Sequence, residues 1–110
     1  MSITDEDIEF SHELFSEVGE ITSRKMMGGL SIYADGQIFA ILNAEGRLYL
    51  KAANALAKRL EAAGSSLFTY TGKNGKTRHM NYWTMPEDAL DDPARAAEWA
   101  RDSLRAITGE

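Results

Sequence analysis

The sequence predicts a single α+β domain, a two-layer sandwich in which three helices cover one side of an antiparallel sheet. Two observations carry this prediction: apolar residues recur at helical spacing in three segments, and they alternate along short segments joined by tight glycine turns. The predicted order of elements is α-β-β-β-β-α-β-β-α. The first group of strands forms a meander and the last two strands form a hairpin. One domain fills residues 1–110. Helices that bracket an antiparallel sheet pack on one of its faces, which gives two layers.

The N-terminal segment is predicted to be a helix. Thr4 can serve as its N-cap, and three acidic residues follow, which is the charge that the helix dipole favours at this end. The first strand is predicted at residues 21–26. Gly28-Gly29 then allows the chain to turn sharply or to form a bulge before the next strand.

The second and third strands are joined by Asp35-Gly36, a strong hairpin signal because both central positions of the favoured turn need positive φ. Glu45-Gly46 is interpreted as a second, weaker two-residue turn into the fourth strand. Together the turns set the register, and a slip of one residue would move every side chain to the other face. The face predicted to be buried contains six apolar residues: Leu30, Ile32, Phe39, Ile41, Leu48 and Leu50.

The second face of this meander is predicted to lie open to solvent unless a partner covers it. An apolar strip runs along it, bordered by Arg47 and Lys51. Contiguous apolar patches of this kind usually mark interfaces. The candidate surface for a protein partner or for a homodimer is therefore Tyr33, Ile38, Leu42 and Tyr49.

Beyond the meander, the pattern predicts a helix capped by Asn54, a hairpin around Asn74-Gly75 and a last helix opened by Asp92-Pro93. Proline suits the first position of a helix because its missing N–H costs nothing there. In the hairpin, the arrangement of apolar and polar residues leaves open which face is buried.

Nucleic-acid binding through the basic tip of this hairpin, residues 73–79, is an alternative function. Cations interleaved with aromatic residues are how proteins hold single strands. The candidate contacts to a nucleic acid or to a polar ligand are Arg24, Lys25, Lys73, Lys76 and Arg78. The formal net charge of −5 disfavours a chain-wide nucleic-acid footprint. A small-ligand binder is the third class considered.

Composition narrows the classes of function. The 110 residues are 44% hydrophobic and 26% charged, as in an ordinary globular domain, and the absence of cysteine excludes disulfides and thiolate metal sites. No segment approaches the roughly 20 apolar residues of a membrane span, and none is typical of a signal peptide. We expect a cytoplasmic protein. The spacing of residues predicts no catalytic, metal-binding or cofactor-binding constellation, so we do not expect an enzyme.

Several motifs resemble the N-terminal domain of the TfoX/Sxy family. They are the run RKMMGG at 24–29, the hairpin segment at 32–36, the run MNYW at 80–83, Pro86 and Trp99. The resemblance spans nearly the whole chain and implies a small α+β domain without catalytic residues. It also implies a transcriptional co-regulator linked to competence and DNA transformation. Full-length members carry a second, helical domain that this sequence does not reach, so we expect a stand-alone N-terminal domain.

Overall fold

The computed structural model describes residues 3–26, 28–71, 75 and 77–108, with the backbone alone at 70, 71, 77–80 and 108. Its elements confirm the predicted order of three α-helices and six strands within these residues. A short 3-10 helix, Glu87–Ala89, precedes the last α-helix. The bounds are α1 (Asp5–Leu14), β1 (Ile21–Met26), β2 (Gly29–Ala34), β3 (Gln37–Leu42), β4 (Leu48–Lys51), α2 (Asn54–Ala62), β5 (Leu67–Thr71), β6 (Thr77–Thr84) and α3 (Pro93–Thr108).

The six strands form one antiparallel sheet in the order β1-β2-β3-β4-β6-β5, which leaves β1 and β5 at the edges. The helices form a single layer, since α3 contacts both α1 and α2 while it packs on β3 and β4. Apolar side chains from both layers meet in one core. Its fully buried large members are Phe15, Ile32, Phe39, Leu50 and Leu60.

A bulge in β3 changes the predicted register of the first hairpin. Tyr33 pairs with Ile38 as predicted, but Ile32 then pairs with Ala40 instead of Phe39. Phe39 is therefore an extra residue in its strand, and it lies with Ala40 on the core side, both of them fully buried. A bulge of this type places two residues opposite one and reverses the alternation beyond it.

The reversal makes the prediction for the end of β3 wrong. Leu42, which was placed on the outer face, pairs with Leu48 and is 2% exposed in the core. Ile41, which was placed in the core, pairs with Tyr49 and is only partly buried. The other five residues of the predicted inner set are buried: Leu30, Ile32, Phe39, Leu48 and Leu50.

The second turn is also one residue longer than predicted. The amide of Asn43 donates to the carbonyl of Arg47 at 3.0 Å, which closes a three-residue loop, and Gly46 in that loop adopts φ +83°. The side chain of Asn43 accepts hydrogen bonds from the amides of Glu45 and Arg47 at 3.0 and 2.9 Å. An asparagine that bonds its own loop in this way stabilises the longer turn.

Two of the three predicted helix caps are confirmed. Thr4 and Asp7 form a capping box, in which each side chain accepts from the amide of the other. The Asp92 carboxylate accepts a hydrogen bond from an amide in the first turn of α3 at 3.3 Å. The prediction for α2 is wrong, because Ala53 occupies the N-cap position and Asn54 lies inside the helix bounds with φ +55°.

Candidate functional site

The side of the sheet opposite the helices, here called the open face, is defined by strand register. Residues opposite each other in neighbouring strands point to the same side. One row crosses five strands and consists of Arg24, Ser31, Ile41, Tyr49 and Thr84. A second pair on the same face is Lys51 with Tyr82. The open face is thus built from alternate residues of the same strands that supply the core.

A cleft of about 540 Å³ lies in the open face. Met26 of β1 and Phe68 of β5 both line it, although these strands lie at opposite edges of the sheet. The sheet is therefore curved around the cleft. The cleft is also lined by Ser31, Ile38, Ile41 and Tyr82.

The aromatic rings of this face pack against one another. The ring of Tyr49 meets that of Phe68 edge to face, with centroids 4.8 Å apart and planes at 82°. Tyr49 and Tyr82 are only 9% and 6% exposed. Burial raises the pKa of the Tyr82 hydroxyl above its ordinary value of 10.0, and repulsion from a charged Tyr33 raises that pKa further. This hydroxyl is therefore protonated, and able to donate a hydrogen bond, near neutral pH.

A comparison with known protein families identifies the family of this chain. The family model of the TfoX N-terminal domain matches residues 13–107, which include all six strands and most of α3. The chain belongs to the TfoX N-terminal domain family. No curated protein matches it in sequence. The resemblance predicted from the RKMMGG and MNYW motifs is thereby confirmed at the level of the family.

The four residues predicted as a partner surface lie in different environments of this TfoX N-terminal domain. Ile38 lines the cleft, and Tyr33 is partly buried on the same face. Tyr49 is covered by Phe68, and the side chain of Leu42 belongs to the core. The open face is thus present, but half of the predicted strip is not available for contact.

Sequence reasoning missed most residues of the cleft, among them Ile41, Met26 and Phe68. Ile41 was assigned inward because the run QIFAIL is almost continuously apolar, so its alternation does not reveal the bulge. Met26, which is 50% exposed, and Phe68 reach the cleft through the curvature of the sheet. The sequence pattern leaves open which face of this hairpin is buried. In the structure, Trp83 pairs with Leu67 and packs against the core, whereas Phe68 lines the cleft. A register shift between Leu67 and Thr69 explains this difference.

The predicted basic contacts are only partly described. Arg24 is exposed and lies on the open face opposite Ser31, whereas Lys25 pairs with Leu30 and so lies on the helix side. Arg78 contributes its backbone to β6, paired with Tyr70. The side chain of Arg78, together with Lys73 and Lys76, lies outside the described residues.

Charge is divided unequally between the two layers of this TfoX N-terminal domain. The residues of the six strands include four Lys or Arg and neither Asp nor Glu: the basic ones are Arg24, Lys25, Lys51 and Arg78. Every carboxylate of the described chain therefore lies in a helix, a turn or a loop. Glu45, next to the cleft-lining Ala44, is the acidic residue nearest in sequence to the cleft. Of these basic residues, Arg24 and Lys51 lie on the open face, in a chain whose net charge is −5.

A larger cleft, of about 1000 Å³, lies between α1, the end of α2 and the start of α3. Of its charged lining residues, Arg95 contacts Asp88 at 3.6 Å, and it also contacts Glu98 at 2.7 Å. Among the described residues, no three His, Asp or Glu side chains are grouped to hold a metal ion. The same residues include no helix with the length and apolarity to cross a membrane.

Proposed function

We propose that this TfoX N-terminal domain is a non-enzymatic regulatory module that acts by binding another protein through its open face. The observation that carries the proposal is the cleft of about 540 Å³ on the side of the sheet opposite the helix layer. Family membership supports a regulatory role, and the TfoX resemblance suggests competence and DNA transformation as the regulated process.

The energetic reason is the apolar surface that folding leaves partly exposed. Met26 is 50% exposed, and Ile38 and Ile41 are only partly buried in the cleft. Complete burial of a large apolar side chain stabilises a complex by about 1.5–3 kcal/mol. A partner that fills the cleft would bury all three.

The charges favour a different protein over a second copy as the partner. In a symmetric dimer formed through the open face, the same patch meets itself. Such a dimer would bring Arg24 and Lys51 of one copy close to the same cations of the other. Like charges placed opposite each other across an interface oppose association. The homodimer therefore remains the weaker form of the proposal.

Nucleic-acid binding is the second candidate, and the basic character of the open face favours it. Single strands, however, are held by bases that stack on exposed aromatic faces. Tyr49 and Phe68 pack on each other, and Tyr82 is 6% exposed, so these rings offer little flat surface. The geometry therefore favours a partner that inserts a side chain into the cleft over a nucleic acid that stacks its bases on aromatic rings.

Site-specific photo-crosslinking in cells tests the proposal. A crosslinking amino acid replaces Thr22, which is exposed and shares the open face with Tyr33. Glu98, exposed on α3, is the matched control position. We expect a discrete protein adduct from position 22 that disappears with Ile41→Glu, and no such adduct from position 98. Equal adducts from both positions, or an adduct that Ile41→Glu leaves unchanged, would contradict the proposal.

The test of self-association is separate. Light scattering across a range of concentrations compares the wild type with Ile41→Glu, a substitution on the open face that leaves the core intact. Leu42→Glu is unsuitable because Leu42 is 2% exposed in the core, so a charge there would unfold the domain. A concentration-dependent dimer abolished by Ile41→Glu would favour the second copy as the partner.

A further inference from the structure

We infer that the segment bound by the open face is acidic and carries a bulky apolar side chain, which enters the cleft while neighbouring carboxylates meet Arg24 and Lys51. This inference rests on the proposed function, because it names the chemistry of the partner for the same surface. It follows from the position of the cations, from the absence of ion pairs to them among the described residues and from the packing of the aromatic rings.

Each of the two cations lies next to a residue that lines the cleft. Arg24 of β1 lies directly opposite Ser31, and Lys51 of β4 lies directly opposite Tyr82. Ser31 and Tyr82 both line the cleft. Cβ atoms of directly opposed residues lie about 4.5–5.5 Å apart, well within the reach of a long side chain. Each cation can therefore reach a carboxylate placed at the rim of the cleft.

Neither cation is neutralised by a carboxylate of the described chain. Arg59, Arg95 and Arg105 form ion pairs with acidic residues of α3. The ion pairs among the described residues involve neither Arg24 nor Lys51. Three of the four arginines of α2 and α3 are thus ion-paired, whereas the open face presents two cations that are available to a partner.

The volume and the lining of the cleft indicate which apolar side chain the partner inserts. Its volume of about 540 Å³ falls in the range of pockets that hold a ligand group, and Met26, Ile38 and Ile41 supply an apolar lining. A leucine or phenylalanine side chain fits this chemistry. The protonated hydroxyl of Tyr82 offers a hydrogen-bond donor beside it, which suits a carboxylate better than a cation.

Selection from a displayed library of random peptides tests the inference. The wild-type domain is the bait, and the readout is the composition of the enriched peptides and the affinity of individual synthetic peptides. We expect enrichment of Asp and Glu around a large aliphatic or aromatic residue. Affinity should fall by at least about tenfold in Ile41→Glu, and it should weaken with rising salt because the charged contacts are exposed.

Arg24 and Lys25 are a matched pair of positions for testing the role of charge in peptide binding. Arg24→Glu reverses a cation on the open face, whereas Lys25→Glu makes the same change on the helix side of the same strand. We expect Arg24→Glu to weaken peptide binding by about three- to tenfold, with Lys25→Glu close to wild type. Lys51→Glu should resemble Arg24→Glu. Circular dichroism of each variant confirms that the fold is retained.

The outcomes separate the two proposals. Enriched peptides that are neutral or basic, yet sensitive to Ile41→Glu, would overturn the acidic partner and leave the docking face standing. Peptides that ignore Ile41→Glu, or a selection that enriches nothing, would overturn both. An oligothymidine strand and a DNA duplex are measured in parallel. Arg24-dependent binding of either one, without acidic peptides, would overturn the inference in favour of nucleic acid.

Discussion

The two faces of the sheet are built from alternate residues of the same strands, yet they differ in packing and in charge. On the covered face, Ile32, Phe39 and Leu50 are fully buried beneath the helices. On the open face, Ile38 and Ile41 remain partly exposed in a cleft. Two cations, Arg24 and Lys51, also lie on the open face, whereas Lys25 is the described basic strand residue on the helix side.

This difference shows that the helix layer completes the packing of one face only. The helices cover the first face and form ion pairs within their own layer, such as those of Arg59 and Arg105 with Asp102. The second face combines basic residues with apolar side chains that folding leaves partly exposed to water. The domain is therefore stabilised on one side of its sheet and, on our account, binds on the other.

Alanine substitutions on the two faces give the largest expected contrast. Leu50→Ala creates a cavity in the core, and we expect it to lower the free energy of unfolding by about 2–5 kcal/mol. Ile41→Ala removes a side chain that is already partly exposed, so its cost should be about 1 kcal/mol or less. Urea denaturation measures both values. Equal losses would mean that the two faces are equally buried.

Substitution of Gly29 tests how tightly the backbone is packed where the cleft borders the core. A Cβ at this position would lie 2.3 Å from the carbonyl oxygen of Leu42, so Gly29→Ala forces the backbone apart. We expect a loss of about 1–3 kcal/mol, the usual cost of overpacking. It should be accompanied by weaker peptide binding, because Gly29 also lines the cleft.

Gly36→Ala is the control for Gly29→Ala. A Cβ at position 36 meets no atom within 4 Å, but the backbone there has φ +77°. This variant should lose about 1–2 kcal/mol from backbone strain alone, and peptide binding should be unchanged. If Gly29→Ala retained full binding, the close approach of Gly29 to Leu42 would not shape the cleft.

The smallest expected effect concerns the pH dependence of stability. The pKa of Tyr82 is raised in the folded protein, by burial first and by Tyr33 second. The unfolded chain therefore loses this proton at lower pH than the folded chain does. The contribution of Tyr82 to stability is complete below about pH 10 and is lost as the pH rises through the folded pKa.

Urea denaturation of wild type and Tyr82→Phe, on both sides of about pH 10, measures this contribution. Wild type should lose more stability than Tyr82→Phe over the alkaline interval. Tyr33→Phe should have a smaller effect, because Tyr33 is the second cause of the shift. Identical alkaline losses in wild type and Tyr82→Phe would mean that Tyr82 is not shielded from water on the open face.

The fold class and the order of elements could be predicted because local signals agreed with the tertiary structure. Asp35-Gly36 forms the predicted turn, with Ala34 paired to Gln37. Thr4 and Asp92 cap helices as their side chains suggest. In these segments the favoured local conformation and the global packing coincide.

The candidate site was harder to predict because it depends on register and curvature. The bulge at Phe39 places two adjacent residues inward, and a nearly continuous apolar strand carries no signal of such a change in alternation. The approach of Met26 and Phe68 arises from the curvature of six strands. The sequence alone shows that the segments that form the strands contain no Asp or Glu, and this observation bears on function only through the placement of the strands.

The most direct test of the two-face account uses a neighbouring pair of positions in a chain that contains no cysteine. Ile41→Cys and Leu42→Cys each introduce a single thiol, and the rate of alkylation by iodoacetamide under native conditions is measured for both. The account predicts rapid modification at position 41, in the cleft, and strong protection at position 42, in the core. Protection at 41 with rapid modification at 42 would contradict the bulged register and, with it, the open face as the docking surface.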